Sequence, residues 1–375
     1  MPEKSHYEAD FEKYLRHTGA DKKEKTFAWA TAIGLQQVDG LKPSEYLYQT
    51  AKRNIEGEIS FDDVSRLINS YYKSKSLRLQ NPDNRTEEAD KVSSRIAQIL
   101  SEPSFNFSPS YLIAVHKRLF EGIFKFAGRL RDYDITKNEW VLNGDTVMYG
   151  AAFELKSALE YDFMQEKRFR YKNLSMDEIA RHITFFVSRL WQIHAFGEGN
   201  TRTTAVFTIK YLRSLGFKAD NDIFAQNSWY FRNALVRANY TNLQKGISEN
   251  PVFLEKFFRN LLLDEHNELK NRETHIDYAK YAGKVSEETT EKNGFTTEKE
   301  AAPAKNTTEN SSVSTEKTTE KILCAIKENP HITTKELALK FKITEDGVFY
   351  HVKKLRLSGR IKRSGGRKNG YWEIV

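Results

Sequence analysis

One composition break restricts the fold more than any other feature of this chain. From about Tyr281 to Glu316 almost nothing is apolar, and Thr, Glu, Lys, Ser and Asn dominate. The tetrad Thr-Thr-Glu-Lys recurs at 289–292, 296–299 and 318–321, at uneven spacing that does not suit a solenoid repeat. Such a stretch buries too little apolar surface to offset its ordering entropy, so it predicts a flexible linker. A chain of 375 residues also exceeds what one hydrophobic core usually serves. The expectation is therefore separate folded parts on either side of the tether.

The break gives the net charge of +8 a location. Residues 317–375 hold ten Lys and four Arg against five Glu and one Asp, so they carry the whole excess and the other 316 residues sum to zero. A nucleic-acid inference from basic charge applies to the tail alone. One cysteine, Cys324, excludes a disulfide framework and a cysteine-based zinc site; in Ile322-Leu323-Cys324-Ala325-Ile326 it reads as a small buried thiol. No apolar run approaches 18 residues, and Met1 to Lys25 lacks the apolar core of a secretory signal. These features predict a cytoplasmic chain with no membrane partner.

Before the linker the pattern is mainly helical. Helices are expected at Thr26–Val38, Pro43–Glu56, Ser60–Tyr72, Ser108–Phe124, Ala152–Gln165, Ser175–Ile193, Asn200–Leu215, Asn227–Asn239 and Asn250–Asn271. Ile183, Phe186, Val187, Leu190 and Trp191 recur at i, i+3, i+4, as on a core-facing helix. Glu139 to Tyr149 reads instead as a hairpin with Asn143-Gly144 as its turn.

The chemistry is concentrated in Ile193-His194-Ala195-Phe196-Gly197-Glu198-Gly199-Asn200-Thr201-Arg202. An apolar helix ends at a histidine, a loop with one carboxylate and two glycines follows, and a new helix starts at Asn200. Backbone N–H groups at a helix start favour an anion, and glycine lets a phosphate come close. Arg202 adds a permanent cation with fork geometry, and Glu198 is the hard oxygen ligand that Mg²⁺ uses beside phosphates. His194 has the side chain of a general base.

These residues resemble the Fic family, whose motif is His-Pro-Phe-x-(Asp/Glu)-Gly-Asn-Gly-Arg-x-x-Arg. His194, Phe196, Glu198, Gly199, Asn200 and Arg202 match it, and Phe126-Ala127-Gly128-Arg129-Leu130-Arg131 is similar to the segment leading into the family's flap hairpin. The resemblance covers roughly residues 100–270. It implies transfer of AMP from ATP, with Mg²⁺, to a hydroxyl side chain of a target protein. His194 would be the base, Glu198 the metal ligand, and Gly197, Gly199, Asn200, Thr201 and Arg202 the nucleotide-binding loop. Tyr230 resembles the base-stacking aromatic. The flap residues Thr136, Trp140, Val141 and Leu142 would align the target chain as an added strand. Three positions depart from the pattern: Ala195 replaces Pro, Thr201 replaces a glycine, and Ala205 stands where the family has its second arginine. Two segments are similar to the family's inhibitory helix in degenerate form, with Asp39 and Glu56 as inhibitory candidates.

Residues 317–375 read as helix, helix, helix, hairpin, and resemble a winged helix-turn-helix. Thr333 to Glu336 forms a capping box for the second helix. The third helix carries Tyr350, His351, Lys353 and Lys354, and the wing carries Arg363, Arg367 and Lys368, all candidates for DNA contact. The expected architecture is thus mainly α: 1–90 a helical region with an antitoxin-like inhibitory segment, 91–275 a Fic-type catalytic core with a small β-hairpin flap, 276–316 the linker, and 317–375 the winged helix (α+β). A homodimer is left open. The alternative function is a nucleotide-sensing, DNA-binding regulator whose core is catalytically weakened.

Overall fold

The computed structural model describes residues 5–76, 84–219, 222–278, 321–341, 348, 352, 355, 360–364 and 371–374. It divides into two compact units, Met1–Glu300 and Ala301–Val375. Most of the expected linker lies outside the described residues.

Among the described residues the first unit is mainly helical. Its helices are α1 (His6–His17), α2 (Lys23–Gly34), α3 (Glu45–Glu56), α4 (Phe61–Ser76), α5 (Asn84–Ser101), α6 (Pro109–Phe120), α7 (Leu155–Arg168), α8 (Met176–Ile193), α9 (Asn200–Ser214), α10 (Ile223–Ala238) and α11 (Val252–Leu263). Local chemistry sets several starts. At α8 the Glu178 N–H donates to Ser175 Oγ at 3.3 Å, and the Ser175 N–H donates to the Glu178 carboxylate at 2.8 Å. This reciprocal cap satisfies donors that the first turn leaves open. The centre of the unit is α9, in which every residue from Asn200 to Leu212 is buried. Helices α5, α6 and α8 and the 3₁₀ turn Leu35–Asp39 pack around it.

Helix α2 and the turn after it bring the N-terminal region against α10 and α9. The approach at Gly34 is close: a Cβ there would lie 2.2 Å from the Ala225 carbonyl oxygen. The Gly34 carbonyl also accepts from Ser228 Oγ at 2.7 Å.

Several expectations are corrected. Helices α1 and α5 had no counterpart in the sequence reading. In α5 the buried face carries Asp90 and Ser93, which break the apolar period. Asp90 is accommodated by the Ser44 N–H at 2.8 Å and Tyr72 Oη at 2.7 Å. The segment around Asn143-Gly144 does reverse, with both residues in the left-handed region. It is a 3₁₀ turn (Trp140–Leu142) rather than a strand pair, closed by the Glu139 N–H to the Asp145 carbonyl at 3.0 Å. Helix α10 has non-helical torsions at Asn227, which is where the sequence placed its start.

The second unit has a helical run at 321–328, a helix at Thr334–Phe341, and strands β1 (Ile361–Ser364) and β2 (Tyr371–Ile374). The strands pair antiparallel with Ile361 opposite Ile374. The expected capping box is present, with the Thr333 N–H donating to Glu336 at 2.8 Å and the Glu336 N–H to Thr333 Oγ1 at 3.2 Å. Ile322, Ile326, Leu337, Val348, Val352, Leu355 and Trp372 form its core. Cys324 is exposed, not buried. It shares the outer face of its helix with Lys321, Lys327 and Glu328, while Ile322, Leu323, Ala325 and Ile326 face inward. Of the DNA candidates, Arg363 lies on β1; Tyr350, His351, Lys353, Lys354, Arg367 and Lys368 lie outside the described residues. Among the described residues no helix is long and apolar enough to cross a membrane.

Gly34→Ala is predicted to destabilise the first unit by about 1–2 kcal/mol. Helix propensity favours alanine by about 1 kcal/mol, but overpacking against a backbone oxygen costs up to about 3 kcal/mol. A lower urea midpoint with an unchanged slope is the expected outcome.

Candidate functional site

The loop from α8 to α9 is fixed by buried polar groups that leave it little freedom. His194 caps α8 in the left-handed region, φ 49°, and its N–H donates to the Trp191 carbonyl at 3.0 Å. A non-glycine residue there is uncommon and needs support from its surroundings. Arg131, whose side chain is fully buried, supplies it. Its Nε donates to the His194 carbonyl at 2.8 Å, one terminal nitrogen to the Tyr133 carbonyl at 2.7 Å, and the other to the Gly150 carbonyl. Its main-chain N–H donates to the Ala195 carbonyl at 3.0 Å.

Two further residues close the loop. The Asn200 amide brackets Phe196, accepting its N–H at 3.0 Å and donating to its carbonyl at 2.7 Å. The His116 ring stacks on Phe196 with centroids 3.7 Å apart. Gly128 N–H donates to His116 Nδ1 at 2.9 Å, so Nε2 carries the proton and donates to the Glu198 carbonyl at 3.0 Å. Burial pushes the His116 pKa down to about 4, which keeps this tautomer neutral. Gly199 caps α9 at φ 77°, and a Cβ there would sit 2.4 Å from the Phe120 ring. Only glycine suits both constraints.

The candidate base is shut in. His194 is 3% exposed, and neither ring nitrogen has a hydrogen-bond partner among the described residues. The Tyr149 ring lies 4.1 Å from it. Burial, with the charges of Lys137, Arg131 and Arg232 behind it, lowers the His194 pKa well below the ordinary value, so the imidazole is neutral near pH 7. Glu198 has one cation against it: Lys137 Nζ lies 3.1 and 3.3 Å from its two carboxylate oxygens. Burial raises the Glu198 pKa, but Lys137, the Gly199 N–H and Arg202 together outweigh it and the carboxylate stays ionised.

Arg202 projects from the first turn of α9 and is 1% exposed. Three side chains from the N-terminal half of the unit surround it. Asp39 Oδ2 lies 2.8 Å from Nε, Glu88 Oε1 lies 2.6 Å from one terminal nitrogen, and Gln36 Oε1 accepts from the other at 3.0 Å. The guanidinium also stands 4.8 Å over the Phe120 ring. Burial works against the Arg202 charge, but Asp39 and Glu88 more than restore it.

A narrow pocket opens onto His194, Glu198, Asn200 and Thr201, with Asp39, Lys137 and Trp191 on its walls. Glu139 and Arg232 complete it, ion-paired at 2.8 Å. Thr201, the departure from glycine, accepts from the Trp191 indole at 3.0 Å through its hydroxyl. Ala205 is buried and brings no charge.

Not every expected site residue is here. Tyr230 is buried in the core, its hydroxyl donating to the Phe253 carbonyl at 3.2 Å; the α10 residue that reaches the pocket is Arg232, two positions on. Glu56 pairs with Lys22 and accepts from Tyr14 at the end of α3, so it is not among the groups around Arg202. Of the flap residues only Thr136 is exposed. Val141 and Leu142 are core, Trp140 packs edge-on to His275 at 5.2 Å, and the Val141 carbonyl already accepts the Ile276 N–H at 2.9 Å. The chain's own segment thus covers the edge expected to take a target strand. The sequence reading missed Gln36, Glu88, His116, Lys137, Glu139 and Arg232. Arg232 and Lys137 each sit within two residues of a nominated position; Glu88 carries no local signal.

No group of three His, Cys, Asp or Glu side chains able to hold a metal by itself occurs among the described residues. A half-buried carboxylate, Glu198, ionised and facing one exchangeable cation, nevertheless fits Mg²⁺. That ion takes one or two protein carboxylates and fills its octahedron with phosphate oxygens and water.

Residues 106–212 match the Fic/DOC family, and residues 315–362 match the winged helix-turn-helix DNA-binding family. The chain carries a Fic/DOC domain. The protein adenylyltransferase VbhT of Bartonella schoenbuchensis is 26% identical over 119 residues, 32% of this chain and 24% of that protein. The chain therefore spans about a quarter of this curated relative's length. Among solved structures, the N-terminal Fic domain of a Bartonella quintana effector with bound ADP aligns with TM-score 0.39 and 21% identity, covering 49% of this chain and 86% of that one. BepC of Bartonella tribocorum with bound AMPPNP aligns with TM-score 0.39 and 19% identity, over 52% and 91%. A Fic family protein of Desulfovibrio desulfuricans aligns with TM-score 0.40 and 11% identity, over 100% and 97%.

The buried neutral His116 sets a pH dependence for the Fic/DOC domain. Its folded pKa lies below the unfolded value of about 6.5, so it contributes stability at neutral pH that is lost as pH falls from about 6.5 toward about 4. Denaturation at pH 7 and pH 5 should differ by about 2 kcal/mol from this residue alone. His116→Leu should flatten that slope, whatever its absolute stability.

Proposed function

We propose that the protein is a cytoplasmic Fic-type nucleotidyltransferase that moves AMP from ATP to a Ser, Thr or Tyr hydroxyl of a target protein, tethered to a DNA-binding winged helix. The single observation that carries the reading is the arrangement at the α8–α9 loop. A neutral imidazole with no hydrogen-bond partner among the described residues and an ionised, half-buried carboxylate share one pocket with the buried start of α9.

In this reading His194 accepts the target hydroxyl's proton on the ring nitrogen that carries no hydrogen. The hydroxyl oxygen bonds to the α-phosphorus as the bond to pyrophosphate breaks. The first-turn N–H groups of α9 and the glycines at 197 and 199 receive the phosphates. Glu198 would hold Mg²⁺, which would supply positive charge to neutralise the phosphates. Arg131 holds the base in register through the His194 carbonyl. Arg202 joins the phosphates only when Asp39 and Glu88 release it, so the resting site is held closed by the N-terminal region. The winged helix, with its basic excess, supports DNA as a second partner.

The second reading, a nucleotide-sensing regulator, is favoured by the closure of Arg202. Incubation of the full chain and its host proteins with Mg²⁺ and α-labelled ATP separates the two. Label should appear on protein, and His194→Ala should reduce it at least about 100-fold, the loss of a general base. Equal labelling by His194→Ala would overturn the enzyme reading.

A further inference from the structure

The pocket is lined by two cations that the loop motif does not supply. Lys137 Nζ faces both oxygens of Glu198, at 3.1 and 3.3 Å. One Arg232 terminal nitrogen lies 2.8 Å from Glu139 Oε2, and the other Glu139 oxygen accepts from Tyr149 Oη at 3.1 Å. Arg202, by contrast, does not line the pocket and is shared among Asp39, Glu88 and Gln36. Position 205 offers only the methyl group of a buried alanine. A polyphosphate entering this pocket therefore meets Lys137 and Arg232.

We propose that, while Asp39 and Glu88 hold Arg202, Lys137 and Arg232 are the cations that meet a polyphosphate, stored on Glu198 and Glu139 until a nucleoside triphosphate takes the place of those carboxylates. The proposal rests on the nucleotide-transfer reading and deepens it. The physical reason is that exchange keeps every buried charge paired. A largely buried cation is strongly disfavoured when its carboxylate is removed without replacement, whereas replacing one anion by another avoids most of that cost. Lys137 sits on a flexible stem and can turn from Glu198 to a phosphate oxygen, which frees Glu198 for a divalent cation. Arg232 offers a planar fork suited to two phosphate oxygens, and its guanidinium rests 5.2 Å over the Trp229 ring, which limits the planes it can adopt. Glu139, 1% exposed, is then a competitor for Arg232 and not a ligand.

Calorimetric titration of the full chain with ATP, ADP and AMP, each with Mg²⁺, tests this on wild-type and Asp39→Ala backgrounds. Arg232→Gln and Lys137→Gln should each weaken ATP by at least about tenfold while changing AMP by less than about threefold. Glu139→Gln should tighten ATP severalfold, because the rival carboxylate is gone. ATP affinity unchanged in both cation variants, or an equal loss for AMP and ATP, overturns the proposal and leaves the transferase reading standing. Absence of binding by ATP, GTP, UTP and CTP on both backgrounds overturns the nucleotide reading and this proposal together. If a melting curve shows Arg232→Gln unfolded, Glu139→Gln decides, and unchanged or weaker ATP affinity there overturns the assignment.

Discussion

One buried arginine ties the N-terminal helices to the start of the central helix. Arg202 is lodged between Asp39 of the turn after α2, Glu88 of α5 and Gln36, with Phe120 of α6 beneath its guanidinium. Four segments far apart in sequence thus meet at one charge. A buried cation with two carboxylates is costly to break and offers little net stability over apolar packing. It ties the first turn of α9, next to the loop that carries His194 and Glu198, to the N-terminal helices. The same contact withholds from the pocket the cation that the loop sequence most plainly offers to a phosphate.

The pattern repeats in the pocket. Lys137 stands on Glu198 and Arg232 on Glu139, so the cations of the site are each paired internally. Neither His194 ring nitrogen has a hydrogen-bond partner among the described residues, and its neutrality follows from burial beside three positive charges. On the proposed reading, a site organised this way keeps its base ready and its anion-binding groups covered, and opening it would take a ligand with enough negative charge to displace carboxylates, which a triphosphate has and a monophosphate lacks.

The legible part of the site was the part written in consecutive residues. His194 through Arg202 forms one loop and one helix start, and its residue types state their chemistry at short range. The core stripe of α8, the capping box at Thr333 and the Asn143-Gly144 reversal were readable for the same reason. Helix α5 was not, because its inward face carries Asp90 and Ser93, whose partners on Ser44 and Tyr72 are set by tertiary contact. Glu88 and Gln36 gave no signal, since nothing local marks a carboxylate or amide destined for a distant arginine. Tyr230 and Arg232 show how fine the margin is: both lie on one helix, and a difference in angle of two residues decides which side chain enters the core and which the pocket. Val141 and Leu142, placed in a target-docking flap by the family resemblance, are core, and the Val141 carbonyl accepts from Ile276.

The measurement that bears most directly on this account is the affinity of the full chain for ATP with Mg²⁺, compared between wild type and the Asp39→Ala, Glu88→Gln double variant. Releasing Arg202 from both carboxylates should tighten binding by at least about tenfold, or roughly 1.4 kcal/mol. Equal or weaker affinity in a double variant that still melts cooperatively would contradict the claim that these carboxylates hold the site closed.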